Sequence, residues 1–368
     1  MLHETCTSVV AAETLPGCCG EQEIKPRPLD QVWLISTRCL GCPSADVNAV
    51  PRMNVWLHEG KTWRNSSVTD FLAAQSPERR LIFHLHGART EHGEATWRGY
   101  EFYRRLTAAA PAEEPISFVI WSWPTSPAGR PLRDLLAMAS RSDVEACYLA
   151  WLVARIDPAA KVDLHGFSYG ARAATGAMHL LSGGRLLGRT VSFSQDSARL
   201  PIDAVLWTPA LNNDWLIPGR YHGQAIESMD RMLIVFNPCD RAMKHYHLTM
   251  CGRPQGLGYT GLWGGGQLGD AGARIEQWNG SGQLGSEHSF LNHMDSQRIM
   301  SLTQAFLFPA PVVTPAQAAT SRHESRIERS ARRAASRTCS SGSAAAVSLR
   351  APIADWARAR IAPSTPAA

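Results

Sequence analysis

The chain has 368 residues, of which 44% are hydrophobic and 19% are charged, an ordinary globular composition. One folded domain of about 270 to 300 residues with tails is the simplest organisation for this length. The net charge of +5 comes from residues 310–368, which contain nine arginines and three acidic residues, so it gives no reason to expect that the rest of the chain binds nucleic acid.

Short apolar runs alternate with helical stretches from Gln31 onward, after residues 1–29, which have no hydrophobic period and are expected to form a loose leader. This alternation is typical of a mostly parallel sheet with helices on both faces, and about eight strands fit. The predicted strands are Val32–Ser36, Met53–Leu57, Leu81–Leu85, Ile116–Trp121, Val162–His165, Ala204–Trp207, Met232–Phe236 and Arg274–Trp278. The predicted helices span residues 94–108, 131–156, 171–177 and 297–307.

Two segments lack such a pattern. Residues 252–285 are rich in glycine and are expected to form a long loop beside the site. From residue 309 the chain is rich in Ala, Ser, Arg and Pro without periodicity, which predicts a disordered tail over 309–368. The folded domain is therefore expected to span residues 30–308.

Membrane insertion and secretion are not predicted. No window approaches the about 18 consecutive apolar residues that a spanning helix needs. The first residues also lack the cationic start and the apolar stretch of a secretory signal. We therefore expect a cytoplasmic protein.

The nine cysteines do not form a clear metal-binding pattern. Cys39 and Cys42 form the one C-x-x-C pair, and no second pair stands at a spacing that would complete a tetrahedral zinc site. We expect these cysteines to be structural or free thiols, and no metal or cofactor is predicted.

The most informative motif is G-x-S-x-G over residues 166–170, with Ser168 at its centre. An apolar run precedes it and a run of small residues follows it, so a strand is expected to enter the motif and a helix to leave it. This context predicts a nucleophile elbow, in which a tight turn lifts the serine hydroxyl above the sheet. Glycines two residues before and after the serine fit such a turn, because a side chain there would collide with neighbouring backbone.

A nucleophilic serine needs a base to take its proton and an acid to orient the base. After such an elbow the acid comes first along the chain and the histidine follows it. Asp240 follows a predicted strand and would lie at the carboxyl edge of the sheet. Asp214 and Asp230 are weaker alternatives, and Asp240 could also be a plain helix cap. His288 lies in the loop after the last strand and is preferred as the base over His293, which lies near a helix start.

The same chemistry needs donors for the developing oxyanion. The sequence His86-Gly87-Ala88 follows a predicted strand, and the backbone N–H groups of Ala88 and Tyr169 are the expected donors. His86 itself is expected to be structural.

Several separated motifs carry a resemblance to a known family. They are Trp33-Leu34-Ile35-Ser36-Thr37-Arg38, His86-Gly87, Trp121-Ser122-Trp123-Pro124, the segment 166–170, Asn237-Pro238-Cys239-Asp240 and Glu287-His288. Through these motifs residues 31–308 resemble the α/β-hydrolase superfamily, and within it an uncharacterised bacterial branch.

The resemblance implies a serine hydrolase with the triad Ser168, Asp240 and His288, a small-molecule acyl substrate and no cofactor. The sequence His86-Gly87-Ala88-Arg89 departs from the H-G-G-G of many esterases, which argues against a preference for bulky tertiary esters. Two alternatives stay open: an acyltransferase that uses the same triad, and a hydrolase-fold binding protein without turnover. The motifs predict no oligomeric state.

Overall fold

The computed structural model describes residues 25–44, 49–126, 129, 131–191, 201–250 and 252–309. Residues 1–24 of the predicted leader, and residues 310–368 of the predicted tail, lie outside the described residues. The described strands are β1 (Gln31–Ser36), β2 (Asn54–Glu59), β3 (Thr62–Ser66), β4 (Arg80–Leu85), β5 (Ile116–Ser122), β6 (Val162–Phe167), β7 (Ile202–Trp207), β8 (Met229–Phe236) and β9 (Ile275–Asn279).

These nine strands form one mixed, mostly parallel sheet in the order β3-β2-β1-β5-β4-β6-β7-β8-β9. In this spatial order, every strand from β1 through β5 and β4 to β9 pairs in parallel with its neighbours in that part of the sheet. Strand β2, in contrast, runs antiparallel to both β1 and β3. The sequence predicted about eight strands, and the additional one is β3. Its residues, Thr62–Ser66, are largely polar and half-exposed at the sheet edge, so no apolar run indicated a strand there.

The helices are α1 (Val68–Ala73), α2 (His92–Thr107), α3 (Pro131–Val153), α4 (Tyr169–Leu181), α5 (Ala225–Ser228), α6 (Arg241–Lys244), α7 (Leu257–Thr260), α8 (Ser281–Leu284), α9 (Phe290–Asp295) and α10 (Gln297–Leu307). Two 3₁₀ segments, Tyr246–Thr249 and Gly265–Arg274, complete the described helical structure. The predicted loop over 252–285 therefore contains short helices as well as β9.

Alternating side chains of the central strands build one apolar layer on each face of the sheet. On one face Phe83 and Trp121 pack with residues of α1, α3 and α4. On the other face Ile82 and Phe118 pack with residues of α2, α9 and α10. Helices thus cover both faces, which leaves the loops at the carboxyl ends of the parallel strands as the place for a site.

The last residues of the predicted loose leader are anchored. The guanidinium of Arg27 donates to both carboxylate oxygens of Asp30, at 2.8 and 3.0 Å, and to the carbonyls of Pro111 and Glu114. Its amide donates to the hydroxyl of Tyr103 at 2.9 Å. The prediction of a loose segment is therefore wrong for its final residues, because alternation of apolar residues does not report hydrogen bonding by a single arginine.

Candidate active site

The turn between β6 and α4 holds Ser168 in an unusual backbone conformation. Its φ of 56° and ψ of −121° lie in a region that non-glycine residues rarely adopt. A side chain on Gly166 would lie 2.4 Å from the Cα of Ala171, and one on Gly170 would lie 2.2 Å from the carbonyl oxygen of Leu85. Glycine is therefore required at both positions for steric reasons.

Ser168 lines a cavity of about 520 Å³. Its side chain is nearly buried, with 3% of the residue surface exposed, and its hydroxyl makes no hydrogen bond to another described residue. The lining combines the loop after β4, the start of α4, the segment after Asp240 and the loop that carries His288. Four of the five residues predicted for the site line the cavity, namely Ala88, Ser168, Tyr169 and His288, whereas Asp240 does not.

Asp240 and His288 are hydrogen-bonded although they lie 48 residues apart. The Nδ1–H of His288 donates to Asp240 Oδ2 at 2.6 Å, while Asp240 Oδ1 caps α6 by accepting from the amide of Met243 at 2.9 Å. Burial alone would raise the pKa of the Asp240 carboxyl, but the hydrogen bond and charge of His288, with the α6 amides, hold that pKa below its usual value. An ionised carboxylate can only accept, so it fixes His288 as the tautomer whose Nε2 is free.

The ring of His288 lies over Phe167, with 4.9 Å between ring centroids and 24° between planes. Its loop is held by two hydrogen bonds from the Asp240 turn, from Asn237 Nδ2 to the Gly285 carbonyl and from the Arg241 amide to the Ser286 carbonyl. Ser168 and His288 therefore face one cavity, but the structure of the described residues contains no hydrogen bond between the Ser168 hydroxyl and the His288 ring.

The weaker alternatives lie elsewhere. Asp214 is partly exposed and pairs with Arg220 at 3.5 Å, and Asp230 is exposed at the start of β8. His293 is fully buried, with its Nδ1–H donating to the Ser289 carbonyl at 2.7 Å and its Nε2 lying 3.3 Å from Thr208 Oγ1. Both of its ring nitrogens are thus engaged inside the protein, so it neither caps a helix nor faces solvent.

The loop after β4 lies against the serine, since a side chain on Gly87 would come within 3.2 Å of Ser168 Cβ. The amides of Ala88 and Tyr169 donate no hydrogen bond to a described residue. In contrast, the Gly87 carbonyl accepts from His86 Nδ1 at 2.8 Å and from Thr90 Oγ1 at 3.3 Å. Because a trans peptide points its C=O and N–H in opposite directions, these two donors also fix the direction of the Ala88 N–H.

His86 is buried and works as part of this support. Its Nε2 accepts from the Trp123 amide at 3.2 Å, which leaves Nδ1 as the protonated nitrogen. Burial, and then the charge of Arg38, hold the pKa of His86 well below its usual value, so the ring stays neutral.

Sequence reasoning missed the part played by Arg38. Its Nη2 donates to the Thr90 carbonyl at 2.8 Å and its Nε donates to Ser122 Oγ at 2.8 Å, so it joins the ends of β1 and β5 to the loop after β4. The two motifs Trp33–Arg38 and Trp121–Pro124 contained this signal, but nothing in the sequence showed that they meet.

The described part of the chain contains no candidate centre for metal or thiol chemistry. No group of three or more His, Cys, Asp or Glu side chains within it could hold a metal ion. Cys39 is disulfide-bonded, whereas Cys42 is free and exposed, so the two cysteines of the C-x-x-C pair are not bonded to each other. Across the same residues, every helix is too short or too polar to cross a bilayer.

No protein-family model and no curated protein matches the chain. Several solved structures are similar to it at low identity. An esterase B from Lactobacillus rhamnosis is 12% identical, with 83% of this chain and 91% of that one covered and a TM-score of 0.36. An esterase of the planctomycete Thermogutta terrifontis is 15% identical, with coverages of 65% and 88% and a TM-score of 0.30. A carboxyl esterase 2 from the fungus Tuber melanosporum is 12% identical, with coverages of 69% and 78% and a TM-score of 0.34.

These similarities are too loose to carry the assignment, which rests on the chain's own topology. A mostly parallel sheet is covered by helices on both faces, and a strand, a G-x-S-x-G turn and a helix follow one another near its centre. The chain thus has an α/β-hydrolase type of fold, as its motifs predicted.

Proposed function

We propose that this protein is a serine hydrolase that cleaves a carboxylic ester or a related acyl bond. The observation that supports this most is the pairing of His288 with the buried Asp240 at 2.6 Å, in a loop that shares one cavity with Ser168. In this proposal the turn at Ser168 is a nucleophile elbow, and the three side chains form a catalytic triad.

In the first step the Ser168 oxygen attacks the carbonyl carbon of the ester, and its proton passes to His288 Nε2. Asp240 keeps Nδ1 protonated and stabilises the imidazolium that forms. The negative charge that develops on the carbonyl oxygen is met by the N–H groups of Ala88 and Tyr169. Both amides lack another acceptor among the described residues, so they are free to serve as an oxyanion hole.

The tetrahedral intermediate then expels the alcohol, which takes the proton from His288 Nε2, and an acyl group stays on Ser168. A water molecule gives a proton to the same nitrogen and attacks the acyl carbon. Collapse of the second intermediate releases the carboxylic acid and returns the proton to Ser168. Residues 30–308 carry all of these groups and constitute the proposed catalytic domain.

A panel of 4-nitrophenyl esters of graded chain length, followed by mass spectrometry of the Ser168 peptide after rapid acid quenching, tests the proposal. We expect hydrolysis of at least one ester and an acyl adduct on Ser168. No turnover and no adduct would favour the binding protein without catalysis. Acyl transfer would instead give a new ester or amide when alcohols or amines are added, and product analysis distinguishes it.

Cytoplasmic localisation stays a prediction from the sequence.

A further inference from the structure

The cavity that holds Ser168 has an unbalanced set of charges. Its lining contains three arginines, Arg89, Arg98 and Arg241, and one carboxylate, Glu94. Glu94 forms an ion pair with Arg98, so these two charges cancel. The guanidinium groups of Arg89 and Arg241 have neither an ion pair nor a hydrogen bond within the described residues, and both residues are exposed.

The two unpaired arginines lie on opposite sides of the serine. Arg89 directly follows Ala88 in the loop after β4, and Arg241 directly follows Asp240 after β8. The sheet order β4-β6-β7-β8 puts the turn at Ser168 between these two loops. A ligand whose carbonyl carbon reaches Ser168 therefore lies in a cavity that both arginines line.

Local structure does not account for either arginine. Arg89 has a φ of 57°, in the left-handed region where glycine or asparagine would be ordinary. Arg241 is the first residue of the four-residue helix α6, where a cation gains nothing from the helix dipole. Neither side chain is packed in the core, so an arginine at each position gains no burial.

We infer that the substrate carries a negatively charged group, a carboxylate or a phosphate, in addition to the ester that is cleaved. This inference rests on the proposed function and names the substrate class for it. A guanidinium offers a planar pair of N–H donors that matches the oxygens of both anions. Apolar lining residues, among them Phe167 and Met243, would contact the carbon chain between the charge and the ester.

The test compares esters that differ in one charge. In the acyl arm, the mono-4-nitrophenyl ester of glutaric acid is compared with its methyl-capped diester. In the alcohol arm, the butyrate ester of glycolic acid is compared with the butyrate ester of methyl glycolate, and the butyrate ester of glycerol phosphate is compared with that of glycerol. Both pairs are followed by titration of the released butyric acid. The readout in each arm is the ratio of kcat/KM for the charged ester to that for the neutral one.

We expect the charged ester to be preferred about tenfold or more in at least one arm, which corresponds to about 1.4 kcal/mol. The preference should decrease as the salt concentration is raised from about 0.01 to about 0.5 M, because exposed charges become screened over this range. It should fall toward unity in the Arg89→Gln, Arg241→Gln double variant. The matched control is Arg64→Gln, which removes an exposed arginine that pairs with Glu59 at the β3 edge, and it should leave the ratio unchanged.

A ratio at or below one in every arm would overturn the inference, and so would a preference that the double variant retains. Both results would be obtained on an active enzyme that forms the Ser168 adduct, so they would leave the proposed hydrolase function intact. Failure of every ester, charged or neutral, together with absence of the adduct, would overturn both. Labelling of the double variant by a neutral fluorophosphonate shows that its site is folded.

Discussion

Two histidines five residues apart have opposite environments in this protein. His288 lies in a loop at the cavity, with 18% of its side chain exposed, one ring nitrogen on Asp240 and the other free. His293 lies one helical turn into α9, is fully buried and has both ring nitrogens engaged, on Ser289 and Thr208.

The difference shows what separates a candidate general base from a structural histidine. A base must keep one nitrogen available to the cavity and ionise without a large cost of burial. Burial is the main reason that the pKa of His293 is lowered to about 4. Its ring therefore stays neutral and acts as a fixed bridge between β7 and α9.

Replacing His288 by glutamine should remove nearly all ester hydrolysis. We expect kcat/KM to fall by about 10⁴- to 10⁶-fold, as for Ser168→Ala, because a serine without its base is barely nucleophilic near neutral pH. The double variant should be hardly worse than either single one, since the members of a triad act as a unit. Retention of more than a tenth of the activity in either single variant would contradict the proposed mechanism.

Asp240→Asn should cost about 10⁴-fold in kcat, because an amide can donate to His288 and so allow the wrong tautomer. Asp214→Asn is the matched control, since Asp214 is partly exposed and pairs with Arg220. It should leave kcat within about twofold of the parent, which is within the range of a change at a surface ion pair. Equal losses in the two variants would remove the basis for choosing Asp240.

Mild acid should destabilise the protein strongly. A histidine whose pKa is lowered in the folded state binds fewer protons than it does in the unfolded chain, so stability falls as pH falls below about 6.5 and toward the folded pKa. Each such group costs up to about 1.4 kcal/mol per pH unit in this window. Among the described residues, six buried histidines have a lowered pKa: His84, His86, His165, His179, His222 and His293.

Urea unfolding at a series of pH values measures this effect. Several kcal/mol per pH unit is large against a typical total of about 5 to 15 kcal/mol, so we expect unfolding between about pH 5 and 6. His293→Gln should reduce the slope by the share of one proton. A stability that is constant from pH 7 to pH 5 would show that these rings are not held neutral.

The smallest effect on catalysis is expected for His293→Gln. Loss of two buried hydrogen bonds should lower the free energy of unfolding by about 1 to 3 kcal/mol and the Tm by several degrees. The activity should stay within roughly tenfold of the parent, because the side chain does not face the cavity. His247→Gln, which changes a half-buried histidine that contacts the Lys244 carbonyl, is the control and should change neither quantity.

The sequence was enough to predict the fold and that Ser168, Asp240 and His288 lie at one edge of the sheet, but not the contacts that support them. Strands β4 to β8 are apolar runs buried on both faces, so they were visible without an alignment, whereas the polar edge strand β3 was not. Ser168, Asp240 and His288 each follow a strand, and strand ends of a parallel sheet meet at one edge. The contacts of Arg38 with Thr90, and those of His86 with Gly87, depend on side-chain directions that no periodicity encodes.

The contrast between the two histidines can be measured without any knowledge of the substrate. The measurement is the second-order rate constant for labelling of Ser168 by a fluorophosphonate, with the labelled residue identified by mass spectrometry. We expect rapid labelling of the parent, a rate within about tenfold of it for His293→Gln, and a rate at least about 10³-fold lower for His288→Gln. Labelling that survives in His288→Gln but is lost in His293→Gln, or that occurs on a residue other than Ser168, would contradict the account.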